Sequence, residues 1–153
     1  MKRLINLFNL ITTCLMTVGT VQAQVSFGHT EKINDDWRFI RIDSARNVFE
    51  KQEMKDPDFN DSRWRRVTLP HDWGVEHPMS PDKGSCQGYL TGGIGWYRKT
   101  LGSPTPGMRT WIYFEGVYNY SEVYINGRLL GIRPSGFASF MYDLTPHLKS
   151  EGK

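Results

Sequence analysis

The chain has 153 residues, 39% of them hydrophobic and 13% aromatic, with 19 basic residues against 16 acidic ones. That length suits one principal domain with a real core. The weak and scattered charge excludes a nucleic-acid-binding protein, because phosphate recognition needs a concentrated basic face.

The first residues read as a leader and not as fold. Lys2 and Arg3 precede an uncharged, mostly apolar run from Leu4 to Val18, and Val21-Gln22-Ala23 supplies small residues for cleavage. Residues 1–23 are therefore predicted to be a secretory signal peptide cut after Ala23, leaving Gln24 as the new N-terminus. The protein is then exported, periplasmic or secreted, with no membrane segment in the mature chain. A retained anchor would need roughly 20 apolar residues, more than this run offers. A lipid-bearing Cys14 would cut the apolar run short. Without Lys2 and Arg3 the chain keeps 17 basic and 16 acidic residues, a net of +1. Once Cys14 leaves, Cys86 has no intrachain partner, so the core and not a disulfide must hold the domain.

Residues 24–33 form a short lead-in, and 34–153 the domain proper. Asn34-Asp35-Asp36 signals a turn, and alternation around Trp37, Phe39 and Ile42 predicts a strand. The polar stretch Phe49–Phe59, with Asp56-Pro57-Asp58, reads as a loop and one helical turn. Asp61–Pro70 is predicted as a strand closed by proline, with Arg63, Arg65 and Arg66 on its solvated edge. His71–Gly95 is a long irregular stretch rich in Gly, Pro and Asp, and loops of that length in a compact domain are uncommon unless functional or disordered. Ile94–Leu101 resumes as a strand.

Trp111–Ile132 then writes two strands and a tight hairpin. Asn126-Gly127 tolerates the positive φ at both centres of a type I′ turn, which sets Ile125 against Arg128, Tyr124 against Leu129 and Val123 against Leu130. Phe137–Leu144 is one more strand. No helical stripe exceeds two turns. The closing Ser150-Glu151-Gly152-Lys153 has the composition of a turn leading onward, so the sandwich is expected to be truncated before its closing strand.

Three blocks in this order carry a family resemblance: Leu69-Pro70-His71-Asp72-Trp73, then Gly92-Gly93-Ile94-Gly95-Trp96-Tyr97-Arg98-Lys99, then Phe114-Glu115-Gly116-Val117 running into Glu122-Val123-Tyr124-Ile125-Asn126-Gly127. Together they resemble the N-terminal sugar-binding domain of glycoside hydrolase family 2, the β-galactosidases, β-glucuronidases and β-mannosidases. The resemblance covers roughly Asn34 to Lys149. It implies an all-β fold, a jelly-roll, galactose-binding-like β-sandwich. In complete members an immunoglobulin-like domain and a (β/α)8 barrel follow, and the barrel holds the catalytic glutamates. The wording is most similar to exported bacterial β-galactosidases. The partner so implied is a β-galactoside, met through the complete enzyme, with no cofactor in this stretch.

A retaining glycosidase needs two carboxyls about 5–5.5 Å apart. Glu115 and Glu122 flank good strands, but the resemblance places the catalytic pair in the barrel, so no catalytic residue is assigned here. His71-Asp72 with Cys86 lacks an oxyanion motif for nucleophilic catalysis, and His71, His77 and Cys86 lack the spacing of a metal site. Asp72 and Trp73 are the substrate-proximal candidates. The turn can also place the Asp72 carboxylate as a cap on neighbouring amides. Trp37, Trp64, Trp96 and Trp111 lie in strand patterns and read as core, leaving Trp73 as the best-exposed aromatic. An aromatic face can stack on a sugar, so a free-standing carbohydrate-binding sandwich is the alternative reading.

Overall fold

The computed structural model describes residues 28–42, 53–85 and 88–148. The leader, Cys86 and the chain end lie outside the described residues. The chain divides into two units, Met1–Ile33 and Asn34–Lys153. Of the first, only 28–33 are described, and they form no strand. Among its described residues the second carries seven strands.

These strands are β1 (Trp37–Ile42), β2 (Arg65–Val67), β3 (Ile94–Arg98), β4 (Trp111–Phe114), β5 (Ser121–Ile125), β6 (Arg128–Arg133) and β7 (Phe140–Asp143). They assemble into three antiparallel sheets ordered β2-β1-β3, β4-β7 and β5-β6. The all-β expectation holds, and the helical pieces described are single turns.

Period-2 alternation gives β1 two working faces. Phe39 is buried, and its cross-strand partners are Arg65 on β2 and Tyr97 on β3, so these three stand in a row. Two residues on, Arg41 lies opposite Gly95 on the same face. The other face carries Ile40 opposite Trp96, and the Trp96 ring stacks on Tyr124 of β5 with centroids 6.2 Å apart. One face of this sheet thus meets the β5-β6 hairpin. The other is left for the segment that follows β2.

The strand expected over Asp61–Pro70 shrinks to Arg65–Val67. Trp64 is buried in the turn before it, where its ring meets Phe59 and its N–H reaches the Asp61 carbonyl at 2.9 Å. Arg98 ties that turn down. Its Nε donates to Asp61 Oδ2 at 3.1 Å, its Nη1 to the carbonyls of Met54 at 2.6 Å and Asp56 at 3.0 Å, and its Nη2 to that of Pro57 at 3.3 Å.

The hairpin forms at Asn126-Gly127, with φ of +47° and +80° as a type I′ turn requires. Ile125 faces Arg128 and Tyr124 faces Leu129 as expected, but Val123 pairs with Gly131 and not Leu130. A β-bulge admits the extra residue. The shift puts glycine under the Tyr142 ring of β7, where a Cβ at Gly131 would lie 2.6 Å from the tyrosine oxygen. Register here follows the aromatic neighbour as well as the turn. β4 pairs with β7 and not with the hairpin that follows it, and Phe114 and Phe140 stack at 5.0 Å on the inner side.

Candidate functional site

The two motif blocks around Asp72 and Gly95 fold onto each other. Leu69-Pro70, joined by a cis peptide, leads the chain off β2 and over the Phe39 face of the sheet. His71 lands edge-on against Phe39, ring centroids 4.7 Å apart, and beside Tyr97 at 5.7 Å. Its Nδ1 lies 2.8 Å from the Tyr97 hydroxyl, and its Nε2 lies 3.0 Å from Glu76 Oε1 and 2.9 Å from Arg65 Nη2. Either neutral tautomer finds partners in this frame. Arg65 closes it, pairing with Glu76 at 2.7 Å while its guanidinium lies over Phe39 at 5.4 Å. His71 is thus a turn residue that packs its ring against the sheet.

Asp72 caps the 3₁₀ turn Trp73–Glu76. Its backbone is extended, and its Oδ1 accepts the Gly74 N–H at 2.8 Å. The residue is exposed. Trp73 is half-buried, which corrects its expected place as the best-exposed aromatic: Trp111 is 45% exposed, while Tyr118 and Phe137 are far more so. The Trp73 ring lies against Gly95, where a Cβ would fall 2.8 Å from the indole nitrogen and 3.1 Å from Phe39. At Gly93 φ is +143°, a conformation that favours glycine, and a Cβ there would be 3.1 Å from the Ile42 carbonyl. The Arg41 guanidinium covers the indole at 5.7 Å.

The electrostatics follow this packing. Burial first, then the negative charges of Asp72 and Glu76, push the Tyr97 phenol up to about 12. Tyr97 therefore stays protonated throughout the physiological range. Hydrogen bonds from Arg65 and then His71 hold Glu76 below the usual carboxylate range. The cluster brings together a carboxylate at an exposed turn, an indole beside it and a neutral phenol beneath. That set can orient a polar ligand but offers no nucleophile with a base of its own.

Glu115 and Glu122 do not join this cluster. Glu115 is exposed just after β4, and Glu122 on β5 accepts a hydrogen bond from Tyr124, whose phenol is raised to about 12 by burial and by that bond. His77 is exposed beyond the 3₁₀ turn. Sequence reasoning missed Arg65, Glu76 and Arg98 as the side chains that hold the site. Glu76 four residues after Asp72, where a short turn can fold it back, was the available signal.

No protein-family model matches the chain. Among curated proteins it is 46% identical over 120 residues to Beta-galactosidase BoGH2A of Bacteroides ovatus, across 76% of this chain and 13% of that protein. It is 43% identical over 120 residues to a putative beta-glucuronidase of Formosa agariphila, across 76% of this chain and 11% of that protein. Among solved structures, a beta-glycosidase from Bacteroides vulgatus superimposes with a TM-score of 0.68 at 39% identity, covering 80% of this chain and 16% of that one. The chain thus spans about an eighth of the length of the first of these relatives, at 13%.

Fold and likeness together define the class: an all-β sandwich domain of the kind carried by large glycosidases. The family is glycoside hydrolase family 2, to which this chain belongs through the N-terminal domain type that its three motif blocks resemble.

Proposed function

We propose that this chain is the N-terminal, non-catalytic domain of an exported hydrolase that removes terminal β-galactosyl residues. The observation that carries the reading is the 46% identity to a protein named as a β-galactosidase, over a segment that is only 13% of that protein. The leader at residues 1–23 supports export. The catalytic carboxyls belong to a downstream barrel, which this domain braces beside an immunoglobulin-like domain, and the stretch itself calls for no cofactor.

Within that arrangement Asp72 and Trp73 are the residues that border the sugar pocket. The short turn holds the carboxylate at the surface, and Gly95 of β3 seats the indole behind it. A carboxylate accepts hydrogen bonds from sugar hydroxyls, and an indole edge shields them from water. Neither group has to change protonation for this. The domain's part is positional.

The test is the intact parent enzyme assayed on p-nitrophenyl β-galactopyranoside and p-nitrophenyl β-glucuronide. Faster turnover of the galactoside is expected. Preference for the glucuronide, the activity in the names of several relatives, would overturn the assignment of the sugar. Hydrolysis by the 153-residue chain alone would overturn the placement of the catalytic carboxyls elsewhere.

A further inference from the structure

The two most exposed aromatic side chains among the described residues, Phe137 and Tyr118, meet at one end of the β4–β7 region, and Tyr120 is exposed nearby in the chain. Phe137 is 88% exposed, Tyr118 76% and Tyr120 62%. Phe137 and Tyr118 come from different loops, the β6-β7 and β4-β5 connections, yet their rings meet at 5.5 Å and 62°. They form the two walls of an open corner.

Backbone contacts fix that corner. The Tyr120 N–H reaches the Pro134 carbonyl at 3.3 Å, and the Phe137 N–H reaches Ser135 Oγ at 3.3 Å. Gly116 and Gly136 let the loops touch: a Cβ on Gly116 would lie 3.0 Å from the Gly136 carbonyl, and one on Gly136 would lie 2.7 Å from Tyr118 Cα. Tyr120 holds φ at +53°, a region that bulky residues seldom take. The rings are therefore held outward before any ligand arrives, which lowers the ordering cost of binding.

We infer that this corner is a carbohydrate-stacking site, which takes one pyranose unit of a β-linked glycan. A pyranose presents an apolar C–H face, suited to the electron-rich face of Phe137, and a rim of hydroxyls, suited to the phenol group of Tyr118. The size of the patch argues for a small occupant. Complete burial of the two rings would cover roughly 300–500 Å², short of the ~800 Å² per partner of a stable protein interface. The glycosidase reading enters only in the choice of probe.

Affinity electrophoresis of the intact parent protein in gels holding β-1,4-galactan, with hydroxyethylcellulose as a second glycan, tests the site. Wild type should be retarded by at least one of them. Phe137→Ala and Tyr118→Ala should each weaken apparent affinity about fivefold at unchanged Tm, in line with the value of an exposed aromatic contact. Tyr113→Ala, an exposed ring on the outer side of β4, serves as the control and should keep full retardation. Equal mobility shifts in all four proteins, or none in any, would refute the site. A change of oligomeric mass in Phe137→Ala with retardation intact would refute it in favour of a protein contact. Hydrolysis of the chromogenic galactoside by the wild type is scored separately: activity without retardation removes this site and leaves the proposed function standing, and retardation without activity does the reverse.

Discussion

Two aromatic clusters on this domain use glycine in opposite ways. Around Phe39, Gly95 on β3 leaves out a side chain so that Trp73 can sink against the sheet, and His71, Tyr97, Arg65 and Glu76 close over Phe39 with hydrogen bonds. At the Tyr118–Phe137 corner, glycines let two backbones approach so closely that the rings are turned outward. The first arrangement gives a fixed polar surface with a shielded interior. The second gives an open apolar surface on a fixed backbone. An aromatic residue's part in such a domain therefore depends on whether the neighbouring glycine makes room for the ring or for the main chain.

The comparison is broken most severely by removing what ties the inner cluster's sheet to its turn. Arg98→Met would leave the carbonyls of Met54 and Pro57 and the Asp61 carboxylate without their guanidinium donor, and the Asp56 carbonyl with the Phe59 N–H alone. With hydrogen bonds to a charged donor at roughly 1.5–3 kcal/mol each and partial rescue by water, a loss of about 3 kcal/mol is expected. Chemical denaturation of the parent would read it as a lowered midpoint. An unchanged midpoint would show that the turn is held by Trp64 packing alone.

Glycine substitutions come next and address the contrast directly. Gly95→Ala drives a methyl to 2.8 Å from the Trp73 indole, and Gly136→Ala drives one to 2.7 Å from Tyr118 Cα. Overpacking of this kind costs about 2 kcal/mol. Both should lower Tm, but only Gly95→Ala should move the Trp73 fluorescence maximum. Glycan retardation should fall only in Gly136→Ala. The same two readouts responding to both variants would mean the clusters are not independent.

Much of this was legible in the chain. Asn126-Gly127 predicts the hairpin because only such residues take positive φ cheaply, and the order of the motif blocks points to the domain type. Gly95 stands out as a glycine within a strand pattern, yet which ring fills the space above it depends on a cross-sheet register that local pattern does not encode. The bulge opposite Val123 was invisible for the same reason: Tyr142, 11 residues beyond Gly131, decides it. The outward corner was hidden too, since Tyr118 and Phe137 look like ordinary strand-flanking aromatics until the loops are brought together. Asp72 was readable as a cap, because Asp followed by a short turn has one inexpensive use for its oxygen.

Asp72 offers a finer cut within the inner cluster. Asparagine caps about as well as aspartate, so Asp72→Asn should leave stability within a few tenths of a kcal/mol, whereas Asp72→Ala should cost about 1 kcal/mol. If the carboxylate borders the sugar pocket, Asp72→Asn should still lower kcat/KM of the parent about tenfold. Equal kcat/KM in wild type and Asp72→Asn would confine Asp72 to capping.

The smallest effect concerns acid. Hydrogen bonds from Thr145, then the Arg109 guanidinium, hold the Asp143 carboxyl down at about 2, below its ordinary 3.8. A depressed carboxylate favours the folded state above the unfolded value, and that contribution disappears as pH falls toward the folded one. Asp143 should therefore stabilise fully above about pH 4 and lose its effect between 3.8 and about 2. Glu76, also lowered, begins its loss near its ordinary 4.5 and belongs to the inner cluster. Asp143→Asn should flatten only the lower part of the acid limb and Glu76→Gln the upper part, both weakly, because the groups are exposed and salt screens them. Urea midpoints at pH 5, 4 and 2.5 in low salt would show this. An acid limb unchanged by Asp143→Asn would mean that Arg109 and Thr145 hold the carboxylate no better than water does.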